Sequence, residues 1–333
     1  MEKLLFICVL ISFLTTLFIM PKWIKRAKNA GLAGKDMHKN NDEKVAEAGG
    51  IGVILGFLLG VLIYIAIKTF YFQDSNNLVE IFALLCTILL ISFVGMIDDI
   101  LGWKIGLGKR TRILFVLFAS IPLMVINAGY PEISLPFFGV INFGIFYALI
   151  IIPLGMIGAS TTFNFLAGYN GLEASQGILI LSALAIVSEI TGSSWLSLIA
   201  LCMVASLIAF WIYNKYPSKV FPGDVLTYSV GGMIAIMAIL GNYEMFAVFI
   251  FIPYIIEVGL KLRGKLEKES FGKPDKDGSI KNQYDKVYGL EHLAIKILEK
   301  IKSSKKAYEW EVVLLINLFQ LLIIILGFFI FII

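Results

Sequence analysis

Ten apolar runs separated by short polar gaps dominate this chain, and together they constrain it to cross a membrane repeatedly. With a window of about 19 residues, candidate spans fall at 4–21, 49–70, 79–97, 113–127, 145–162, 177–191, 195–213, 225–240, 244–260 and 311–333. The fourth and sixth are short, and the join between the sixth and seventh, Thr191-Gly192-Ser193-Ser194, is a bare turn. Of the 333 residues, 59% are hydrophobic and 16% charged. That apolar content is close to what ten helices of about 20 residues require. It excludes a disordered chain, a coiled coil and a disulfide-stapled secreted domain. Cys8, Cys86 and Cys202 all lie in apolar runs and read as small core hydrophobes rather than as metal or redox ligands.

Alternating sides puts the loops 22–48, 98–112, 163–176, 214–224 and 261–310 together. Their Lys+Arg counts are 7, 4, 0, 2 and 13, which is 26 of the chain's 28, and only Lys3 and Lys68 fall elsewhere. The positive-inside rule predicts that these five loops are cytoplasmic and both termini extracytoplasmic. The same asymmetry accounts for the net charge of +4 and leaves no reason to invoke nucleic acid. After the first span comes Pro21-Lys22-Trp23-Ile24-Lys25-Arg26, a basic stop rather than a small-residue cleavage site, so this span reads as a retained helix. The apolar but broken run 129–144 (Pro131, Pro136, Gly139, Gly144) reads as a lipid-interface segment or short hairpin.

Polar residues that topology does not explain are the informative ones, because an ionisable group at membrane depth is costly. Asp98 and Asp99 close the third span, where the helix dipole already presents negative charge. The next charges, Lys104, Lys109, Arg110 and Arg112, sit in a glycine-rich loop. Acids beside bases at a membrane surface suit a metal ion and phosphates, although a solvated acidic loop would look similar. Asn164 ends an apolar span, and its amide carbonyl could ligate Mg2+, whereas Asn170-Gly171 is a turn signal in its own right. Asp224 could serve as a helix N-cap. Phe221, before Pro222-Gly223, would be an aromatic at the surface available to stack on a base. In the 50-residue loop 261–310, Lys268, Lys273 and Lys276 could cradle a phosphate or sugar, or bind lipid headgroups. His292 is predicted on an amphipathic interfacial helix, in a structural role.

Three blocks in register carry a resemblance across nearly the whole chain. They are Gly95-Met96-Ile97-Asp98-Asp99, Asn164-Phe165-Leu166-Ala167-Gly168-Tyr169-Asn170-Gly171-Leu172-Glu173 and Tyr216-Pro217-Ser218-Lys219-Val220-Phe221-Pro222-Gly223-Asp224. In that order the chain resembles the polyprenyl-phosphate N-acetylhexosamine-1-phosphate transferases. Gly171-Leu172-Glu173-Ala174-Ser175-Gln176 and the Tyr-Pro-Ser segment most resemble the dolichyl-phosphate GlcNAc-1-phosphate transferase branch, eukaryotic or archaeal.

The resemblance implies an all-α, polytopic membrane protein of about ten transmembrane helices with a cytoplasmic active-site cleft. Residues 1–333 would form one integral-membrane domain in the cell membrane, or in the endoplasmic reticulum of a eukaryote. It further implies transfer of GlcNAc-1-phosphate from UDP-GlcNAc to polyprenyl or dolichyl phosphate, with Mg2+ (or Mn2+) as cofactor and UMP released. Asn164 and Asp224 match the family's metal ligands, Asp98 and Asp99 its paired aspartates, and Arg112 the basic residue after them. Phe221 and Asn170 match its uridine contacts, and Glu47 an acidic residue at the cleft mouth. Lys109 is a further candidate for substrate binding. The final loop has neither the His-rich motif of bacterial members nor the Arg-rich motif of eukaryotic ones, and Lys268 and Lys273 are the nearest substitutes. Homodimer formation is left open, as is another UDP-N-acetylhexosamine as donor.

The expected chemistry is direct attack of the lipid phosphate on the β-phosphorus, with an aspartyl-phosphate intermediate on Asp98 or Asp99 as the rival. A secondary transporter is the alternative from a different class, but it would place polar groups at the midplane. Here they fall at one face.

Overall fold

A computed structural model of the chain describes residues 3–40, 43–102, 106–135 and 139–332; Lys104 and Pro136 lie outside them. The chain is built almost wholly of helices: α1 (Phe6–Asn29), α2 (Gly50–Ala66, continued by a wider turn to Tyr71), α3 (Leu78–Leu101), α4 (Lys109–Ala119), α5 (Ile121–Val125) and α6 (Ile152–Phe163, preceded by a wider turn from Tyr147). After these come α7 (Leu172–Ile190), α8 (Ser194–Asn214), α9 (Gly223–Gly241), α10 (Glu244–Ile250), α11 (Ile252–Arg263), α12 (Leu290–Ile301) and α13 (Glu309–Phe331). Seven helices among the described residues are long and apolar enough to cross a bilayer, and α10 with α11, bent by 56°, would make an eighth. The segment Tyr147–Phe163 is apolar but shorter, and the expected fourth span is broken at Ser120 into α4 and α5. Of the two spans read as short, the fourth is so, whereas the sixth is the 19-residue helix α7.

Among the described residues strands are confined to three small antiparallel pairs. The first pairs β1 (Ala33–Lys35) with β2 (Lys44–Ala46), the second β3 (Glu132–Leu135) with β4 (Gly139–Asn142), and the third β5 (Lys273–Pro274) with β6 (Ile280–Lys281). The second is the hairpin anticipated for 129–144. Pro21 sits inside α1 without ending it, so the helix carries Lys22, Lys25 and Arg26 onward as a basic extension.

Helix α9 is the axis of the bundle: 83% of its apolar window is buried, against 22% for α1 and 28% for α13. Close approach is achieved with small residues, as packing between helices in an apolar medium requires. On α9, Gly231 abuts Ala159 and Ser160 of α6. Ser229 Oγ lies 2.7 Å from Ser92 Oγ of α3, so two hydroxyls satisfy each other at depth. On the other flank, Gly52, Gly56 and Gly60 of α2 form a one-per-turn stripe facing Met20, Thr16 and Ser12 of α1. Thr16 Oγ1 donates to the Gly52 carbonyl at 3.2 Å across that seam. Cys8 and Cys202 are buried as expected, but Cys86 is exposed on the outer face of α3.

Replacing Gly56 should expose the cost of this seam, because a Cβ there would collide with Thr16 Oγ1. Gly56→Val is expected to destabilise by about 1–3 kcal/mol, the usual cost of overpacking. Gly155→Val is the control, since its Cβ meets nothing within 4 Å. Thermal unfolding in detergent checks this: equal midpoints for the two variants would refute the close seam.

Candidate active site

The end of α3 and the start of α9 are joined by a carboxylate. Asp99 Oδ1 accepts the Asp224 N–H at 2.7 Å and Oδ2 accepts the Val225 N–H at 3.2 Å. The first N–H groups of a helix have no partner within it, and the residue preceding α9 is Pro222, which makes no side-chain cap. Asp99, brought from 125 residues away, therefore caps α9. Gly223 is needed for this: its φ is +72°, and a Cβ would strike the Asp99 carboxylate. Gly95, one turn before Asp99, lets the α3 backbone touch Asp224, since a Cβ would lie 2.6 Å from the Asp224 carbonyl.

Asp224 is thus the second residue of α9 and not its N-cap, and its side chain is turned to other partners. Arg112, near the start of α4, pairs through Nη2 with Asp98 Oδ2 and lies through Nη1 3.6 Å from Asp224 Oδ2. Asp98 Oδ1 accepts the Leu107 N–H at 2.5 Å. Asn164 caps the end of α6. Its Oδ1 accepts from Thr227 Oγ1 at 3.2 Å, one turn along α9 from Asp224. An amide oxygen at the end of α6, held by Thr227 one turn of α9 from the Asp224 carboxylate, with the Asp98 carboxylate nearby through Arg112, makes a set of hard donors of the kind that Mg2+ takes, so the residues present fit that ion.

Phe221 is fixed by its backbone. Its N–H donates to the Ala46 carbonyl at 2.7 Å and its carbonyl accepts from Gly49 at 2.9 Å, while Gly50 donates to Pro222 at 2.8 Å. The segment is thereby clamped between β2 and the start of α2, with the ring half-buried. Glu47, next along the chain from β2, folds over Gly34, and its backbone carbonyl accepts the Trp23 indole N–H at 3.0 Å. Burial raises the Glu47 carboxyl above its ordinary range.

Asn170 has partners that the sequence did not suggest. Its Nδ2 donates to Asp36 Oδ2 at 2.9 Å and to Glu309 Oε2 at 3.3 Å, and its backbone N–H donates to Glu309 Oε1 at 2.7 Å. His38 completes the group, with Nδ1 3.3 Å from Glu309 Oε1 and Nε2 accepting the Gly272 N–H at 3.2 Å. Asp36, His38 and Glu309 are all buried, with ligand atoms within 4.8 Å of one another. A metal ion is nonetheless a poor fit. The Gly272 N–H makes Nε2 the acceptor, so the ring proton sits on Nδ1 and points at Glu309. A ligating imidazole instead donates from its outer nitrogen. Burial by itself would raise Asp36; hydrogen bonds from Asn170, the His38 N–H and Lys39 outweigh it and hold the carboxyl below its ordinary range.

The remaining basic candidates do not converge on Asp224. Lys109 Nζ donates to the Leu266 carbonyl at 3.3 Å, tethering α4 to the last loop. Lys268 lies 5.0 Å over the Tyr284 ring and lines an open cavity of about 320 Å3 with Gln283, Asp285, Lys286 and Tyr288. Lys273 is exposed in β5, paired in register with Lys281. His292 is on the amphipathic helix expected, buried like Leu290 and Ile295 of the same helix, and burial lowers its pKa to about 4. Sequence reasoning passed over Asp36, His38, Thr227 and Glu309. The one available signal was acid and imidazole at alternate positions (Asp36, His38) in a loop otherwise explained by its lysines.

Comparison with known proteins bears on this geometry. A model of the family described as glycosyl transferase family 4 matches residues 81–242, which covers the Asp98–Asp99 end of α3, Asn164 and Asp224. A Saccharolobus solfataricus protein, named for UDP-N-acetylglucosamine–dolichyl-phosphate N-acetylglucosaminephosphotransferase activity, is 39% identical over 86% of this chain and 85% of its own. A Dictyostelium discoideum protein carrying that enzyme name is 31% identical over 73% of this chain and 68% of its own. A phospho-N-acetylmuramoyl-pentapeptide-transferase of Streptococcus pneumoniae is 28% identical over 74% of this chain and 77% of its own. The chain belongs to glycosyl transferase family 4, among the polyprenyl-phosphate N-acetylhexosamine-1-phosphate transferases.

Proposed function

We propose that this protein transfers GlcNAc-1-phosphate from UDP-GlcNAc to polyprenyl or dolichyl phosphate, releasing UMP and forming lipid-diphospho-GlcNAc. The observation that carries the reading is the convergence of Asp98, Arg112, Asn164 and Asp224, from four separate helices, at one end of the bundle. In this reading α4–α5, the segment Tyr147–Phe163 and the bent α10–α11 complete ten crossings around a cytoplasmic cleft, with both termini outside.

Asn164 and Asp224 would hold Mg2+, which when bound supplies shielding for the diphosphate of the donor. Arg112 bridges two carboxylates and is the cation best placed to receive phosphate oxygens. A phosphate monoester has a second pKa of about 6, so the lipid phosphate reaches the site largely as a dianion and needs no general base. Its oxygen attacks the β-phosphorus, the bond from that phosphorus to the bridging oxygen breaks, and UMP leaves with the electron pair. Support for one step comes from the aspartates. Both Asp99 oxygens accept α9 N–H groups, and Asp98 is engaged by Leu107 and Arg112. Neither is presented as a free nucleophile.

Incubating the purified protein with radiolabelled UDP-GlcNAc and polyprenyl phosphate is expected to move label into lipid. Failure of transfer, with label instead accumulating inside proteoliposomes, would replace this reading with a transporter. Asp224→Ala should abolish transfer and leave the protein folded, because it does not cap α9; undiminished turnover in that variant or in EDTA would remove the metal assignment. Intact-mass analysis during turnover should show no phosphorylated enzyme, and a phospho-adduct on Asp98 or Asp99 would establish two steps.

Base–aromatic stacking contributes about 1–3 kcal/mol. Phe221→Ala is therefore expected to raise the UDP-GlcNAc KM about 5- to 150-fold and to spare the KM for lipid phosphate, with Phe221→Trp close to wild type. A fall in thermal stability at unchanged KM would instead make Phe221 a loop anchor.

A further inference from the structure

Asp224, Thr227 and Tyr228 stand at i, i+3 and i+4 of α9 and so share one face of that helix. The Asp224 side chain, 22% exposed, is the end of that face that opens to the site. One turn deeper, Thr227 and Tyr228 are 2% and 1% exposed, and both end in a neutral hydroxyl. Each hydroxyl holds one residue of the candidate site, and they do so in opposite senses.

Thr227 gives a proton. Its Oγ1 lies 3.2 Å from Asn164 Oδ1 and 3.3 Å from the Asp224 carbonyl, the kind of acceptor to which a helical threonine donates within its own helix. Among the described residues no other group bonds the Asn164 side chain. Asn164 ends α6, and Gly231, one turn on from Thr227, is what lets α6 come this close. The oxygen that would ligate the cation is thus aimed from α9.

Tyr228 takes a proton. A guanidinium has donors only, so in the hydrogen bond between Arg112 and Tyr228 the phenol oxygen accepts. The other contacts of Arg112 are with carboxylates, Asp98 through Nη2 and Asp224 through Nη1, while Nε is buried without a partner among the described residues. An ion pair with a carboxylate is given up when a cation takes the acid or a phosphate takes the guanidinium. A neutral hydroxyl competes for neither. Tyr228 is therefore the contact that keeps Arg112 in place while its ion pairs are exchanged.

We infer that Thr227 and Tyr228 are positioning residues for the two halves of the proposed reaction: Thr227 orients Asn164 toward the cation, and Tyr228 anchors Arg112 for phosphate. Groups behind a metal ligand fix its direction and contribute to affinity without touching the ion. Neutral anchors suit this place, because a further charge beside Asp98, Asp224 and Arg112 would compete for the cation or the phosphate. The inference rests on the function proposed above and adds to it two residues one turn below Asp224.

Two shape-conserving variants of the purified full chain separate the roles. Thr227→Val should weaken Mn2+ binding about 10- to 100-fold, read by electron spin resonance in detergent without turnover. Thr227→Ser, which keeps the hydroxyl, should bind as wild type does, and transfer by Thr227→Val should recover at high Mg2+. Tyr228→Phe should leave Mn2+ binding within about twofold and lower kcat/KM about 10- to 100-fold, because a hydrogen bond to a charged group is lost. High Mg2+ should not restore it. The same response in both variants, or a lowered unfolding midpoint with metal binding and turnover unchanged, makes the hydroxyls structural and overturns the inference with the function standing. Wild-type protein that transfers no label to lipid overturns both.

Discussion

A carboxylate at the C-terminal end of a helix faces the negative pole of that helix, and Asp99 relieves the conflict by facing the positive pole of another. Its two oxygens take the N–H groups of Asp224 and Val225, so the misfit at the end of α3 becomes the cap of α9. Asp98, with the same conflict, is met by Arg112 and by the Leu107 N–H. These contacts fix two things together: the depth at which α9 starts and the direction of the Asp224 side chain. Glycine at 95 and 223 is the steric condition for the meeting of Asp99 with α9.

The bundle supports this end through backbone proximity more than through large side chains. Gly50 of α2 lies against Leu226 at the start of α9, and its N–H bonds to the Pro222 carbonyl. Gly231 receives α6, and with it Asn164, on the opposite side of the same helix. Three helices thus index on α9 at sub-side-chain distance, and each delivers a polar residue or a backbone clamp to its N-terminal turns. A rigid, buried axis with functional groups at its end is the arrangement that positions reacting groups best, since such groups need support from locked neighbours.

Legibility in the sequence followed the range of the interaction. Apolar runs and basic loops are local signals, and each expected span is met by a helix or helix fragment. The starts of α7, α9 and α13 lie two to five residues before the expected spans, because hydropathy discounts polar first turns, where Glu173, Asp224 and Glu309 stand. The blocks around Asp98, Asn164 and Asp224 stood out because charge or amide at a span end is costly. Asn170 was legible as a turn, but its partners Asp36 and Glu309 are 134 and 139 residues away. No periodicity reports such contacts. Asp99 shows the same limit from the other side: its type was conspicuous, while its task as a cap depends on where α9 arrives.

Charge decides what can enter the candidate site. Asp98, Asp99 and Asp224 bring three acidic groups to one place, and Arg112 brings one guanidinium. Asp99 is matched by the α9 dipole, which amounts to about half a charge, so the formal balance remains negative. Two phosphate-bearing substrates cannot approach such a surface on their own, because like charges at a few ångströms repel strongly wherever water is excluded. In the proposed reading Asn164 and Asp224 would hold a divalent cation, whose charge would offset the acids and leave Arg112 free to exchange a carboxylate for a phosphate. Excess acid at the end of α9 is, in the proposed reading, the reason a cation accompanies the donor. It also explains why the acids are anchored so firmly by backbone N–H groups: unanchored, they would turn away from one another.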